Sequence, residues 1–242
     1  MKRYGGVVAL GGVDVGVRAG EVVGLVGPNG SGKTTLLHVA AGLVHADLGV
    51  AVVAGSPAGS RRAREALALV PDEPSGFDEL TVAELAALVH ALWGADSAAA
   101  SRAAVLVDAF GLGARLGQRL GTLSRGLRRQ ASMVAALSLA PPLLLVDEAT
   151  ATLDPEAVVV LREAVRALAA RGSGVLLATQ DLHFAATTCD HLVLLARGHV
   201  LERGAPGELC DRYGAETLED VFLTVVGEGA LAERVREGLA AL

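Results

Sequence analysis

The chain has 242 residues, a formal net charge of −6 and a pI near 5.5, a balance that argues against a bulk electrostatic partner such as duplex DNA. Apolar residues make up 52% and charged residues 20%, which excludes general disorder; with aromatics at 3%, the core has to be built from Ala, Val and Leu. Two cysteines, Cys189 and Cys210, form neither a disulfide framework nor a CxxC metal pair, as fits a reducing compartment.

In chain order, the start Met1-Lys2-Arg3-Tyr4-Gly5-Gly6 is followed by Asp14, Arg18 and Glu21, which interrupt any continuous apolar signal region. Residues 21–26 read as a buried strand, because a short apolar run meets glycine turns at once. The glycine loop 27–32 follows, then a predicted helix from Lys33 to about Leu43. Gly49 to Gly55 is a short β-branched run, and Leu67 to Val70 a strand ended by Pro71. From Thr81 to Trp93 the apolar spacing of Leu85, Leu88, Val89 and Leu92 predicts a helix, with Glu84 placed to form a capping box. Ala98 to Phe110 predicts a second helix, and Ser124 opens a third that runs to about Ala140. The apolar strand Leu143 to Val146 precedes two carboxylates; Pro155 to Arg171 reads as a helix, Val175 to Thr179 and Leu192 to Ala196 as strands. The longest apolar stretch, Ala131 to Val146, is broken by Ser132, Ser138 and Pro141-Pro142. It is shorter than the roughly 20 residues a spanning helix needs, so the chain is expected to be soluble, with any membrane anchor in another subunit. Alternating strands and helices predict a parallel α/β sheet, with the helical block near 79–135 inserted into it.

Three motifs carry chemistry. Gly27-Pro28-Asn29-Gly30-Ser31-Gly32-Lys33-Thr34 fits the phosphate-loop pattern G-x-x-x-x-G-K-[ST], between a strand and a helix as the pattern requires. Its glycines let backbone N–H groups turn inward as an anion cradle, the helix start adds its positive end, Lys33 supplies a charge, and the Thr34 hydroxyl is a Mg²⁺ ligand; Thr35 continues the turn. Of the 21 basic residues only Lys2 and Lys33 are lysine, so the one internal Lys falls where a compact ammonium is needed and a planar guanidinium does not fit. Second, Asp147-Glu148 closes an apolar strand, which suits Asp147 to hold Mg²⁺ and Glu148 to orient or deprotonate a water. Third, Leu123-Ser124-Arg125-Gly126-Leu127 places a Ser and a Gly at a helix start; taken locally, an ordinary helix cap explains them better than an anion site does.

The order of these motifs resembles the ATP-binding cassette (ABC) ATPase family over nearly the whole chain. Leu123 to Leu127 is similar to that family's LSGGQ signature in variant form, Ala151-Thr152-Leu153-Asp154 to its D-loop, and Tyr4 lies where the family has an adenine-stacking aromatic. The resemblance implies a single domain over 1–242. It has a phosphate-loop NTPase core of RecA-like parallel sheet (1–78 and 136–215), an inserted helical signature subdomain (79–135), a small antiparallel β subdomain and a C-terminal tail (216–242). It further implies ATP and Mg²⁺ as cofactors, bound by Tyr4, Gly27 to Thr35 and, from a second ATP-binding subunit of a homodimer or heterodimer, Ser124 and Gly126. An integral-membrane permease would hold the chain at the cytoplasmic face of the cell membrane. Val70 to Pro74, Leu80-Thr81-Val82 and Leu218 to Phe222 are similar to the exporter branch whose permease is a separate polypeptide.

Three positions depart from the pattern. Asp72 stands where the family usually has Gln, either as an oxygen ligand for Mg²⁺ or as a plain loop acid. Gln180 stands at the switch His, where it can donate a hydrogen bond to a γ-phosphate but carries no proton, so hydrolysis is expected to be slow rather than absent. Tyr4 is the fourth residue, so either the usual edge strand before it is missing or the true start lies upstream of Met1. The competing expectations are a non-transport ABC ATPase, a degenerate partner in a heterodimeric transporter, and a small-molecule kinase or GTPase, against which the Ser124 helix start, the adjacent acids and the lack of an NKxD-like motif all count.

Overall fold

The computed structural model describes residues 1–227; the end of the tail expected over 216–242 lies outside the described residues. β1 (Lys2–Tyr4) and β2 (Val7–Leu10) form an antiparallel hairpin. β3 (Val22–Val26) runs through the phosphate loop into α1 (Lys33–Ala40). β4 (Val52–Val53) and β5 (Ser56–Pro57) make a two-residue hairpin, and α2 (Arg61–Glu65) leads to β6 (Leu67–Val70). The helical block holds α3 (Val82–Trp93), α4 (Ala99–Ala109) and α5 (Arg125–Leu137). The chain then alternates through β7 (Leu143–Val146), α6 (Pro155–Ala170), β8 (Gly174–Thr179), α7 (Leu182–Thr188), β9 (His191–Ala196) and β10 (His199–Gly204), and ends with α8 (Pro206–Tyr213) and α9 (Leu218–Val226).

The main sheet has the order β10-β9-β3-β8-β7-β6, parallel throughout except for the β10 edge. Alternation along each strand divides the core. Val22, Val26, Val70, Leu144, Val146 and Leu177 face α3 to α9, whereas Val23, Leu25, Leu145 and Leu176 face Leu37 of α1 and Ala63 of α2. Burial on both faces is why these strands read as continuous apolar runs. The helices begin where their caps dictate: Thr81 with Glu84 at α3, Ser124 at α5, Asp154 before Pro155 at α6.

Several expectations shift. The first helix stops at Ala40, with Gly42 in the left-handed region against Gly59; a Cβ there would sit 2.1 Å from the Gly59 amide nitrogen. The Gly49–Gly55 run supplies only the two strand residues of β4. The third helix ends at Leu137, followed by a non-glycine residue of positive φ, Ala140, before the two prolines. It also crosses residues 135 and 136 unbroken, so the boundary expected there falls inside a helix. Tyr4 lies in β1 beside Val7, and Lys2 is tied to Asp47 at 3.1 Å.

Gly27 packs so closely on the main chain of β9 that a Cβ would lie 2.1 Å from the Leu195 carbonyl oxygen. Gly27→Ala is expected to destabilise the fold by about 1–3 kcal/mol, the range for overpacking, read as a lower urea midpoint at unchanged slope.

Candidate functional site

Four segments meet at one edge of the sheet because four adjacent parallel strands end there: β3 in the phosphate loop, β8 in Gln180, β7 in Asp147-Glu148, and β6 in Pro71-Asp72. Crevices beyond the carboxyl ends of such strands are where open α/β sheets bind ligands.

In the phosphate loop, Gly27 is buried while Pro28, Asn29 and Gly30 are exposed. Gly32 caps α1 with φ 107° and no side chain satisfies that helix end, so the first amides of α1, from Lys33 through Thr35, are open to an anion. The Ser31 hydroxyl is buried and, among the described residues, has no partner. Lys33 is 4% exposed; its Nζ donates to the Gly27 carbonyl at 2.8 Å and to that of Pro28 at 3.3 Å, and pairs with Glu148 Oε1 at 3.2 Å. An uncapped helix start, an orphaned hydroxyl and a caged ammonium fit a bound polyphosphate.

Beside it, Thr34 Oγ1 donates to Asp147 Oδ1 at 3.1 Å. Burial pushes the Asp147 carboxyl up from its ordinary range; the Thr34 hydrogen bond opposes this, and the Glu148 charge adds to it. Hydroxyl and carboxylate oxygens so close together form a hard donor set suited to Mg²⁺. Glu148 has φ 47°, a left-handed conformation seldom held by a non-glycine residue unless the surroundings impose it. Its Oε1 faces Lys33, and its Oε2 lies 3.5 Å from the Gln180 amide nitrogen.

The surroundings that impose it centre on Arg129, which sequence reasoning missed. Its side chain is fully buried and donates to the carbonyls of Pro71, Asp72, Asp147 and Glu148. It pairs with Asp72 Oδ1 at 3.2 Å. Burial pulls its pKa down, while the charges of Asp72, Asp147 and Glu148 pull it back up. The one signal in the sequence was its place four residues after Arg125, on the same helix face. Asp72, expected as a Mg²⁺ ligand or a plain loop acid, has one carboxylate oxygen 3.2 Å from Arg129 and the other 3.7 Å from Arg125.

The remaining expected residues lie outside this cluster. Ser124 caps α5 by accepting from the Leu127 amide, and is exposed; Gly126 meets the Thr152 carbonyl, where a Cβ would stand at 2.7 Å. Tyr4 is half exposed, with the Lys2 ammonium 5.4 Å from its ring centroid.

A parallel sheet with a phosphate loop after one strand and paired acids after a near neighbour defines a phosphate-loop nucleoside triphosphatase. A family model described as "ABC transporter" matches residues 10–151, and the chain belongs to that family, whose ATP-binding subunits hydrolyse ATP. The chain is similar to the Nod factor export ATP-binding protein I of Burkholderia orbicola (strain AU 1054), at 36% identity over 223 residues, covering 90% of this chain and 73% of that protein. It is 37% identical over 221 residues to the daunorubicin/doxorubicin resistance ATP-binding protein DrrA of Streptomyces peucetius, covering 90% and 67%. A solved ATP-binding subunit of an ABC transporter matches at TM-score 0.84 and 30% identity, covering 90% of this chain and 93% of that one. A nucleotide-free ATP-binding cassette from an ABC transporter shares the fold at TM-score 0.73 and 22% identity, covering 91% and 95%.

Because the folded state raises the Asp147 pKa, its charge works against folding. That loss of stability sets in as pH rises from the ordinary value of 3.8 through the raised folded value. Asp147→Asn is therefore expected to raise the melting temperature of the nucleotide-free protein at neutral pH and to leave it little changed in acid. Melting curves of both proteins across pH check this.

Proposed function

We propose that this chain is the ATP-binding and hydrolysing subunit of an ABC exporter, with Mg²⁺ as cofactor and a separate integral-membrane permease as partner. The observation that carries it is the convergence of Lys33, Thr34, Asp147, Glu148 and Gln180 at one sheet edge, in a chain with relatives named for Nod factor export and for daunorubicin/doxorubicin resistance. In this reading the amides of residues 27–35 and Lys33 bind the phosphates, and Tyr4 stacks on the adenine. Thr34 and Asp147 hold Mg²⁺, which supplies charge neutralisation to the transferring phosphoryl group when bound. Glu148 orients the attacking water and takes its proton, and Gln180 hydrogen-bonds the γ-phosphate. Ser124, exposed at the cap of α5, and Gly126 in its first turn engage the nucleotide of a second ATP-binding subunit.

Attachment to a permease agrees with two features. Among the described residues, no helix is long and apolar enough to cross a membrane. A 370 Å³ groove between the 71–78 loop, α3 and α5 carries Phe77, Leu92 and Trp93 at its surface, an apolar seat for a short helix at the cytoplasmic side of the membrane. Gln180 favours a second reading, a slow ATPase that pairs with a faster one in a heterodimer.

Membrane co-purification is expected to recover an integral-membrane partner; its absence favours a non-transport ATPase. Glu148→Gln is expected to abolish turnover by roughly two orders of magnitude or more and to keep ATP binding, as measured by phosphate release and nucleotide titration. Gln180→His is expected to raise turnover; an equal rate under dimerising conditions would clear Gln180 as the limitation.

A further inference from the structure

We propose that Asp72 serves as the counter-ion of Arg129, not as a metal ligand, and that this pair positions the Glu148 main chain from the loop after β6. The inference deepens the ATPase reading above and rests on it for its kinetic part.

The charges around Arg129 are accounted for one by one. A buried guanidinium keeps its proton, so it needs anionic or strongly accepting partners. Three carboxylates are near it. Asp147 accepts from Thr34, and Glu148 turns its oxygens to Lys33 and Gln180. Among the described residues, Asp72 is the carboxylate in ion-pair contact, at 3.2 Å. Its second oxygen faces Arg125 at 3.7 Å. A carboxylate with both oxygens turned to guanidinium groups has little left to offer a divalent cation.

The same guanidinium reaches two places. Nη1 holds the carbonyls of Pro71 and Asp72; Nη2 holds those of Asp147 and Glu148. One rigid planar fork thus joins the 71–74 loop to the residue whose backbone sits at φ 47°. Prolines at 71 and 74 bracket that loop and narrow its own freedom. Arg125, one turn earlier on α5, binds Glu73 at 2.8 Å, which ties the Ser124–Gly126 helix start to the same loop. The two residues that depart from the family's usual Gln and Gly, Asp72 and Arg125, therefore face each other. A displacement of the 71–74 loop acts through Arg129 on the Glu148 carboxylate, so Asp72, Arg125 and Arg129 are positioning residues for it.

The test compares the full-length protein with Asp72→Asn, Arg129→Lys and the double variant. ATP hydrolysis is titrated with Mg²⁺, and amide hydrogen exchange is followed at Asp147 and Ala149, which donate to the Val70 and Ala178 carbonyls. Asp72→Asn is expected to lower the rate by roughly tenfold, to leave the Mg²⁺ concentration for half-maximal rate within about twofold, and to speed exchange at both amides. The double variant is expected to be no slower than Arg129→Lys alone, because both changes break one pair. A Mg²⁺ requirement raised by roughly tenfold or more with exchange unchanged would overturn the proposal in favour of metal ligation, and unchanged rate and exchange would overturn it outright. If Arg129→Lys does not fold, Asp72→Asn decides by the same readouts. If the unmodified protein hydrolyses no ATP, the ATPase reading fails, and the exchange comparison still decides whether Asp72 holds the Glu148 segment.

Discussion

The parallel pairing of β3, β8, β7 and β6 is the constraint on which the site rests. Val26 lies opposite Thr179, Leu177 opposite Val146, and Val146 opposite Val70, so these neighbouring strands end nearly level. Neighbours in a sheet stand about 4.8 Å apart, within reach of single side chains, and Lys33 and Thr34 thus touch the acids after β7 although more than a hundred residues separate them. Burial of the sheet on both faces keeps this line of strand ends rigid.

Along that line the charges sit where water is scarce, and each has a partner. Lys33 lies against loop carbonyls and Glu148, and Arg129 against four carbonyls and Asp72. The two cations are not interchangeable. A compact ammonium fits among the amides and carbonyls of a tight loop, whereas a planar fork spans two separate backbone turns at once. Lys in a chain otherwise rich in Arg marks the first role; a fully buried Arg marks the second. The Lys33 donors rest on loop carbonyls, acceptors that a phosphate can replace.

The core strands and the capped helices were legible because their signals are local. An apolar run of four or five residues before glycine or acid, and a Thr81–Glu84 box before an amphipathic stretch, each need only neighbours in sequence. The phosphate loop was legible for the same reason. The β1–β2 hairpin, α7 and β10 were not, since they are short and owe their order to what they pack against. Asp72 was legible as a departure, but its bond to Arg129 spans 57 residues and belongs to no local pattern.

The sequence by itself determined the chemistry on offer: a phosphate loop with its one internal Lys, a strand ending in two acids, and a Gln in the place of a switch His. Glycine turns, caps and apolar runs are written in neighbouring residues, and neighbouring residues set them. Only the tertiary structure decided which of these groups meet. Strand order placed Gln180 at Glu148, and the burial of α5 drove Arg129 beneath the acids and drew Asp72 to it. The physical reason is that a desolvated charge takes whatever partner the packed fold brings within reach, and that partner is chosen by distance in space, on which sequence separation has no bearing.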